Sequence, residues 1–149
     1  MLLNNKVAII TGGTGALGRS VIVRFIENGT FVTSTYIVKR EQDECIKLID
    51  DNTKCNFIKA DVTKEKEVKN LIGVTLKNNN RIDFLINIVG GFTSCAIVDT
   101  DEKIFDKMIN MNLRSTFLCC KNVIPHMIKN KYGRIINIAA RPALKGMAG

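Results

Sequence analysis

Three glycines, Gly13, Gly15 and Gly18, stand at G-x-G-x-x-G spacing where an apolar run gives way to a helical pattern. The run Val7-Ala8-Ile9-Ile10-Thr11 reads as a buried strand, and from Ala16 onward apolar residues recur at three- and four-residue intervals. Glycine permits a tight turn and a close backbone approach, while the unpaired N–H groups and positive dipole end of a helix start favour a pyrophosphate. Small residues can also serve only to pack a helix against a strand, but a strand before and a helix after favour the phosphate reading. Thr11, Gly12, Gly13, Thr14, Gly15, Ala16, Leu17 and Gly18 are therefore a candidate nucleotide cradle.

Other chemistries find less support. The five cysteines, at 45, 55, 95, 119 and 120, form no C-x-x-C pair, and His126 is the single histidine, so neither a disulfide framework nor a metal site is expected. The cysteines read as buried thiols. Twenty-two basic residues against 14 acidic ones leave a charge of +8, but the lysines are scattered. With two tyrosines and no tryptophan for base stacking, they read as a solvated surface and not as a nucleic-acid face. No apolar run approaches the roughly 20 residues that span a bilayer, and Met1 to Lys6 shows no signal-peptide pattern. No membrane association and a cytoplasmic location are expected.

The cradle needs elements to hold it. The strand pattern of residues 6–11 leads into a helix over Ala16 to Asn28, stopped by Asn28-Gly29. Phe31 to Tyr36 is β-branched and aromatic and reads as a second strand, followed by a polar helix from about Arg40 to Asp51. Cys55 to Ala60 gives a third strand, and Lys64 to Lys77 a helix that Thr63 could cap. Ile82 to Asn87 reads as a fourth strand, Asp101 to Ile128 as a long helical region, and Arg134 to Ala139 as a fifth strand. Strands alternating with helices imply parallel pairing through right-handed crossovers, so one domain spanning residues 1–149 should form an open, doubly wound α/β sheet. Ligands of such sheets sit beyond the carboxyl ends of the strands. Gly12 to Gly18, Tyr36 to Arg40, Asp61-Val62, Asn87 to Gly91 and Ala139-Ala140 all fall there. The long helix is apolar nearly all round at Leu113, Phe117, Leu118, Cys119, Cys120, Val123 and Ile124, which predicts burial on two sides, one against the sheet and the other against a partner subunit or a further part of the chain.

From Lys6 to Gly149 the chain resembles the short-chain dehydrogenase/reductase family. Thr11-Gly12 through Gly18 is similar to its T-G-x-x-x-G-x-G loop, Asp61-Val62 to its adenine-contacting pair, and Asn87-Ile88-Val89-Gly90 to its N-N-A-G segment. Asn112 resembles its helix asparagine, and Gly133 to Ile138 the strand leading to its catalytic serine. The resemblance implies a Rossmann-type, three-layer α/β/α sheet, truncated after the fifth strand, in an NAD(P)-dependent oxidoreductase that passes hydride to or from a carbonyl or alcohol substrate. It also implies a homo-oligomer joined through the long helix.

Departures qualify that implication. Ala16 stands at a family glycine, Ile88 and Val89 replace Asn and Ala, and Ala140 matches the catalytic serine. The family's Y-x-x-x-K pair would lie beyond Gly149, so the 149 residues are expected to be catalytically incomplete. The alternative is a non-catalytic dinucleotide-binding or interaction module. The family uses its helix asparagine in a proton relay, which makes Asn112 a catalytic candidate; by itself an Asn there would satisfy neighbouring backbone groups, and that use is favoured. Tyr36 takes the place of the usual acid that binds a ribose 2′-hydroxyl, and Lys39-Arg40 could pair with a 2′-phosphate, so NADP is favoured over NAD.

Overall fold

Parallel pairing buries the first strand, β1 (Val7–Thr11), along its whole length in the computed structural model, which describes residues 3–49 and 52–140. The remaining strands are β2 (Phe31–Tyr36), β3 (Cys55–Lys59), β4 (Phe84–Asn87) and β5 (Arg134–Asn137). They form one parallel sheet in the order β3-β2-β1-β4-β5, with Ile9 level with Thr33 on one side and Leu85 on the other. Successive side chains of a strand face opposite sides. Ile9 and Leu85 accordingly enter a core with Val68, Leu71, Leu118 and Val123, while Ala8, Ile10 and Ile86 enter a second core with Ile22, Ile26 and Cys45. Helices α1 (Ala16–Glu27) and α2 (Lys39–Ile46) cover the second face; α3 (Glu65–Asn79) and α5 (Ser115–Lys129) cover the first. This is the open, doubly wound sheet that the strand–helix alternation predicts, in the three-layer, Rossmann-type form that the resemblance implies.

Several local expectations need correction. The second helix ends at Ile46, where the Leu48 and Ile49 N–H groups turn back onto the Cys45 and Ile46 carbonyls. Thr63 does not cap α3: its hydroxyl donates to Asp61 Oδ1 at 2.7 Å, and Lys64 occupies the cap position. The long helical region is divided. Asp101 caps α4 (Glu102–Ile109) by accepting the Ile104 N–H at 2.7 Å, and a π turn over Asn110–Arg114 joins it to α5. α5 buries Leu118, Cys119, Val123 and Met127 on its inner face, the side expected to meet the sheet, while Leu113, Phe117, Ile124 and Ile128 stand exposed in the single chain. Cys45 and Cys119 are buried as expected; Cys55, Cys95 and Cys120 are only partly so. No helix among the described residues is long and apolar enough to cross a membrane.

Candidate functional site

Above the carboxyl ends of β1, β2 and β4 lies a cavity of ≈ 380 Å³. Its floor is the loop between β1 and α1. Gly12 adopts φ +67°, and a side chain there would press on Val89 Cγ2 and Val89 N at 3.1 Å, so this position needs glycine for both turn and clearance. The Gly12 N–H donates to Thr35 Oγ1 at 3.0 Å, fixing the loop to the end of β2. A side chain at Gly13 would strike Ser34, and one at Gly18 the Gly12 carbonyl, so tight packing explains those two glycines. Gly15 is different. A Cβ there would meet only the Gly12 carbonyl, at an ordinary 3.5 Å, and Gly15 itself lines the cavity.

Gly15 also caps α1 with extended backbone, and neither a capping side chain nor an acidic residue occupies the first turn. Ala16, Leu17 and Gly18 line the cavity, so the positive end of the helix opens onto it. Of the other residues singled out by sequence, Thr14, Tyr36, Asp61, Val62, Ile88, Val89 and Gly90 line the same cavity. Thr11, Gly13 and Asn87 stand behind its wall. The Ile88 and Val89 N–H groups donate to the buried Thr11 Oγ1 at 3.2 and 3.4 Å, which sets the backbone on the β4 side. Asn87 Nδ2 donates to Asn137 Oδ1 at 2.8 Å across the β4–β5 pair.

Lys39 and Arg40 do not reach the cavity. Lys39 Nζ lies 2.8 Å from an Asp43 carboxylate oxygen, whose hydrogen bond raises the lysine pKa, and Arg40 Nε lies 3.6 Å from Glu44. Asp61 is held on its own turn. Burial of the carboxyl opposes its charge, but the Thr63 hydroxyl and N–H together with the Lys64 ammonium outweigh that and hold it below the ordinary carboxylate range. Ile37, within the stretch Tyr36 to Arg40, lines the cavity too, whereas sequence reasoning missed Thr35, Glu41 and Ala60, which complete the lining. For Glu41 a signal existed: it lies one turn beyond the end of β2, on the helix that closes the crevice.

Asn112, on the π turn, binds one backbone segment. Its Oδ1 accepts the Gly91 N–H at 3.0 Å, and its Nδ2 donates to the Gly91 and Met108 carbonyls at 3.0 and 2.9 Å. The side chain clamps the loop after β4 to the helix. Ala140 follows β5 by three residues and is exposed. Tyr132 sits at the opposite end of the sheet, edge-on to Phe84.

With an open helix start at the carboxyl edge of a 3-2-1-4-5 sheet in view, comparison with known proteins is decisive. Residues 6–149 match the family model described as short chain dehydrogenase. The chain belongs to that family. Among short-chain dehydrogenases it is 33% identical over 151 residues to (2S)-[(R)-hydroxy(phenyl)methyl]succinyl-CoA dehydrogenase subunit BbsD of Thauera aromatica, covering 98% of this chain and 59% of that protein. It is 29% identical to the 3-oxoacyl-[acyl-carrier-protein] reductase FabG of Thermotoga maritima, covering 100% of this chain and 61% of the reductase. Among solved structures, an NAD+-bound xylitol dehydrogenase superposes with a TM-score of 0.92 at 26% identity, over 99% of this chain and 58% of that one. The structure described as ElxO with NADP bound superposes with a TM-score of 0.89 at 31% identity, over 96% of this chain and 58% of that one. The chain thus spans about three-fifths of the length of the relatives it matches.

Proposed function

We propose that residues 1–149 form one dinucleotide-binding domain of an NAD(P)-dependent oxidoreductase acting on a carbonyl or alcohol. The observation that carries this reading is the uncapped start of α1 at Gly15, opening on a cavity lined from four separate strand ends. The residues fit the group. The first turn of α1 would hold the pyrophosphate, Asp61 and Val62 would flank the adenine, and the backbone from Ile88 to Gly90 would line the path toward the nicotinamide. Asn87 and Thr11 act from behind the wall by fixing that backbone. The bound nicotinamide supplies the hydride acceptor or donor.

A second reading, a binding module without catalysis, draws support from Ala140, whose methyl group stands where the family places a hydroxyl. Among the described residues neither tyrosine substitutes for the proton donor: Tyr36 lies on the β2 side of the cavity and Tyr132 at the far end of the sheet. The exposed apolar side chains of Leu113, Phe117, Ile124 and Ile128 support a homo-oligomer, and free thiols support a cytoplasmic location.

Thermal unfolding with and without NADH tests the reading. Ligand present at a hundredfold excess over Kd should add about 2.7 kcal/mol of apparent stability. An unchanged Tm at millimolar NADH and NADPH would rule out the dinucleotide site. Turnover of a carbonyl substrate by the chain would rule out the module.

A further inference from the structure

We propose that Glu41 recognises the adenosine ribose 2′-hydroxyl and thereby selects NAD(H) over NADP(H). The inference rests on the dinucleotide reading above and deepens it.

A dinucleotide whose pyrophosphate lies on the first helix places its adenosine ribose near the end of β2. Tyr36 stands at that end and carries no charge, and the next residue, Ile37, is apolar and exposed. The carboxylate facing this part of the cavity comes instead from Glu41, in the first turn of α2. Thr14 Oγ1 donates to Glu41 Oε2 at 3.2 Å, tying the acid to the glycine loop. Thr14 is itself fixed, since its carbonyl accepts from Arg19 Nε at 2.6 Å. Glu41 Oε1 accepts no hydrogen bond from the described residues, and no described cation pairs with this carboxylate. It is a positioned acceptor with an oxygen to spare.

The charge of the cavity points the same way. Among the described residues its lining includes two acidic side chains, Glu41 and Asp61, and no lysine or arginine. Asp61 is already paired with Lys64 at 3.3 Å and with the Thr63 hydroxyl. The basic groups beside the cavity are committed as well: Lys39 to Asp43, Arg40 to Glu44, and Arg19 Nη2 to Glu44 at 2.9 Å. A ribose hydroxyl would donate to the spare oxygen of Glu41. A 2′-phosphate, with close to two negative charges at neutral pH, would face that oxygen, and Lys39 or Arg40 would have to leave its carboxylate partner to offset it.

The test is a pair of fluorescence titrations of the full chain, with NADH and with NADPH, repeated on two variants. In the parent protein NADH should bind about tenfold tighter or more, the size of one charge-assisted hydrogen bond. Glu41→Gln keeps an acceptor for the Thr14 hydroxyl but removes the charge, and should bring the two affinities to within about threefold. Glu41→Lys should favour NADPH. Because each result is a ratio measured on one protein, a general loosening of the loop cancels. NADPH binding as tightly as NADH to the parent, or a ratio unchanged in Glu41→Gln, would overturn the assignment while leaving the dinucleotide site standing. Failure of both nucleotides to bind would overturn the site and the assignment together.

Discussion

The two ends of the central strands β1 and β4 handle polar groups in opposite ways. At the amino end Asp83 is 1% exposed, yet every polar contact it makes closes on protein. Its carboxylate accepts the Val7 N–H at 2.9 Å, a two-pronged contact from Arg81 at 2.6 and 2.8 Å, and the Lys6 ammonium at 3.7 Å. The Asp83 N–H donates to the Val7 carbonyl and its carbonyl accepts the Arg134 N–H. Lys6 in turn lies 4.1 Å above the centre of the Tyr132 ring, and Tyr132 packs on Phe84. At the carboxyl end the first turn of α1 lacks a cap, and Glu41 keeps an oxygen without a partner among the described residues. A buried charge that is fully satisfied fixes structure. Donors and acceptors positioned but unspent prepare for a ligand.

The largest effect should come from breaking the satisfied end. Asp83→Ala strands the buried Val7 N–H and releases Arg81 and Lys6. Both cations retain partial access to water, so the cost stays below that of a fully buried pair, at about 2–3 kcal/mol. This corresponds to a Tm lower by on the order of 10 °C. Calorimetry of parent and variant measures it, and NADH affinity at a temperature where both are folded should be equal. A variant that binds NADH poorly while melting normally would reverse the roles assigned to the two ends.

The next effect comes from the open end. Gly15 has extended backbone at the helix cap and room for a Cβ, so Gly15→Asp should fold normally and even supply the missing cap, adding about 0.3 kcal/mol. The same carboxylate would occupy the phosphate position and repel it. NADH affinity should fall by about a hundredfold, near 2.7 kcal/mol, while Tm holds or rises. Isothermal titration and a melt on the same preparation separate the two terms; full NADH affinity in this variant would move the pyrophosphate away from α1.

Much of this contrast is legible in the sequence. β2, Phe31–Tyr36, falls within a β-branched and aromatic run, and the glycine loop and Asp61-Val62 reach one cavity because strand ends in a parallel sheet must converge. What escapes sequence reading depends on side-chain direction. Thr35 enters the wall only because the β1–β2 register brings its hydroxyl to the Gly12 N–H. Lys39-Arg40 resembles a phosphate clamp until Asp43 and Glu44, one turn on, claim it, a pairing that the i, i+4 spacing already announces. The π turn at Asn110–Arg114 has no local signature. It accompanies the contacts of Asn112 with Gly91, a residue 21 positions away.

Asp61 tests the contrast where it is least sharp, since this carboxylate lines the cavity but is spent on its own turn. Thr63 donates to it through the N–H at 3.0 Å and the hydroxyl at 2.7 Å, Lys64 lies 3.3 Å away, and these contacts outweigh burial to depress its pKa. A depressed folded-state pKa stabilises the protein at pH values above the ordinary carboxylate value of about 3.9, and that contribution disappears as pH falls through the lower folded-state value. Asp61→Asn should therefore be less stable than the parent at pH 7. The side chain is about a third exposed and its charges are screened, so the difference should stay under about 1 kcal/mol. Urea unfolding of both proteins from pH 7 downward should show the gap constant to near pH 4 and closing below it. A gap that persists in acid would mean that hydrogen-bond geometry and not charge holds the turn. Asp61 would then differ in kind from Asp83, whose charge is the centre of its cluster.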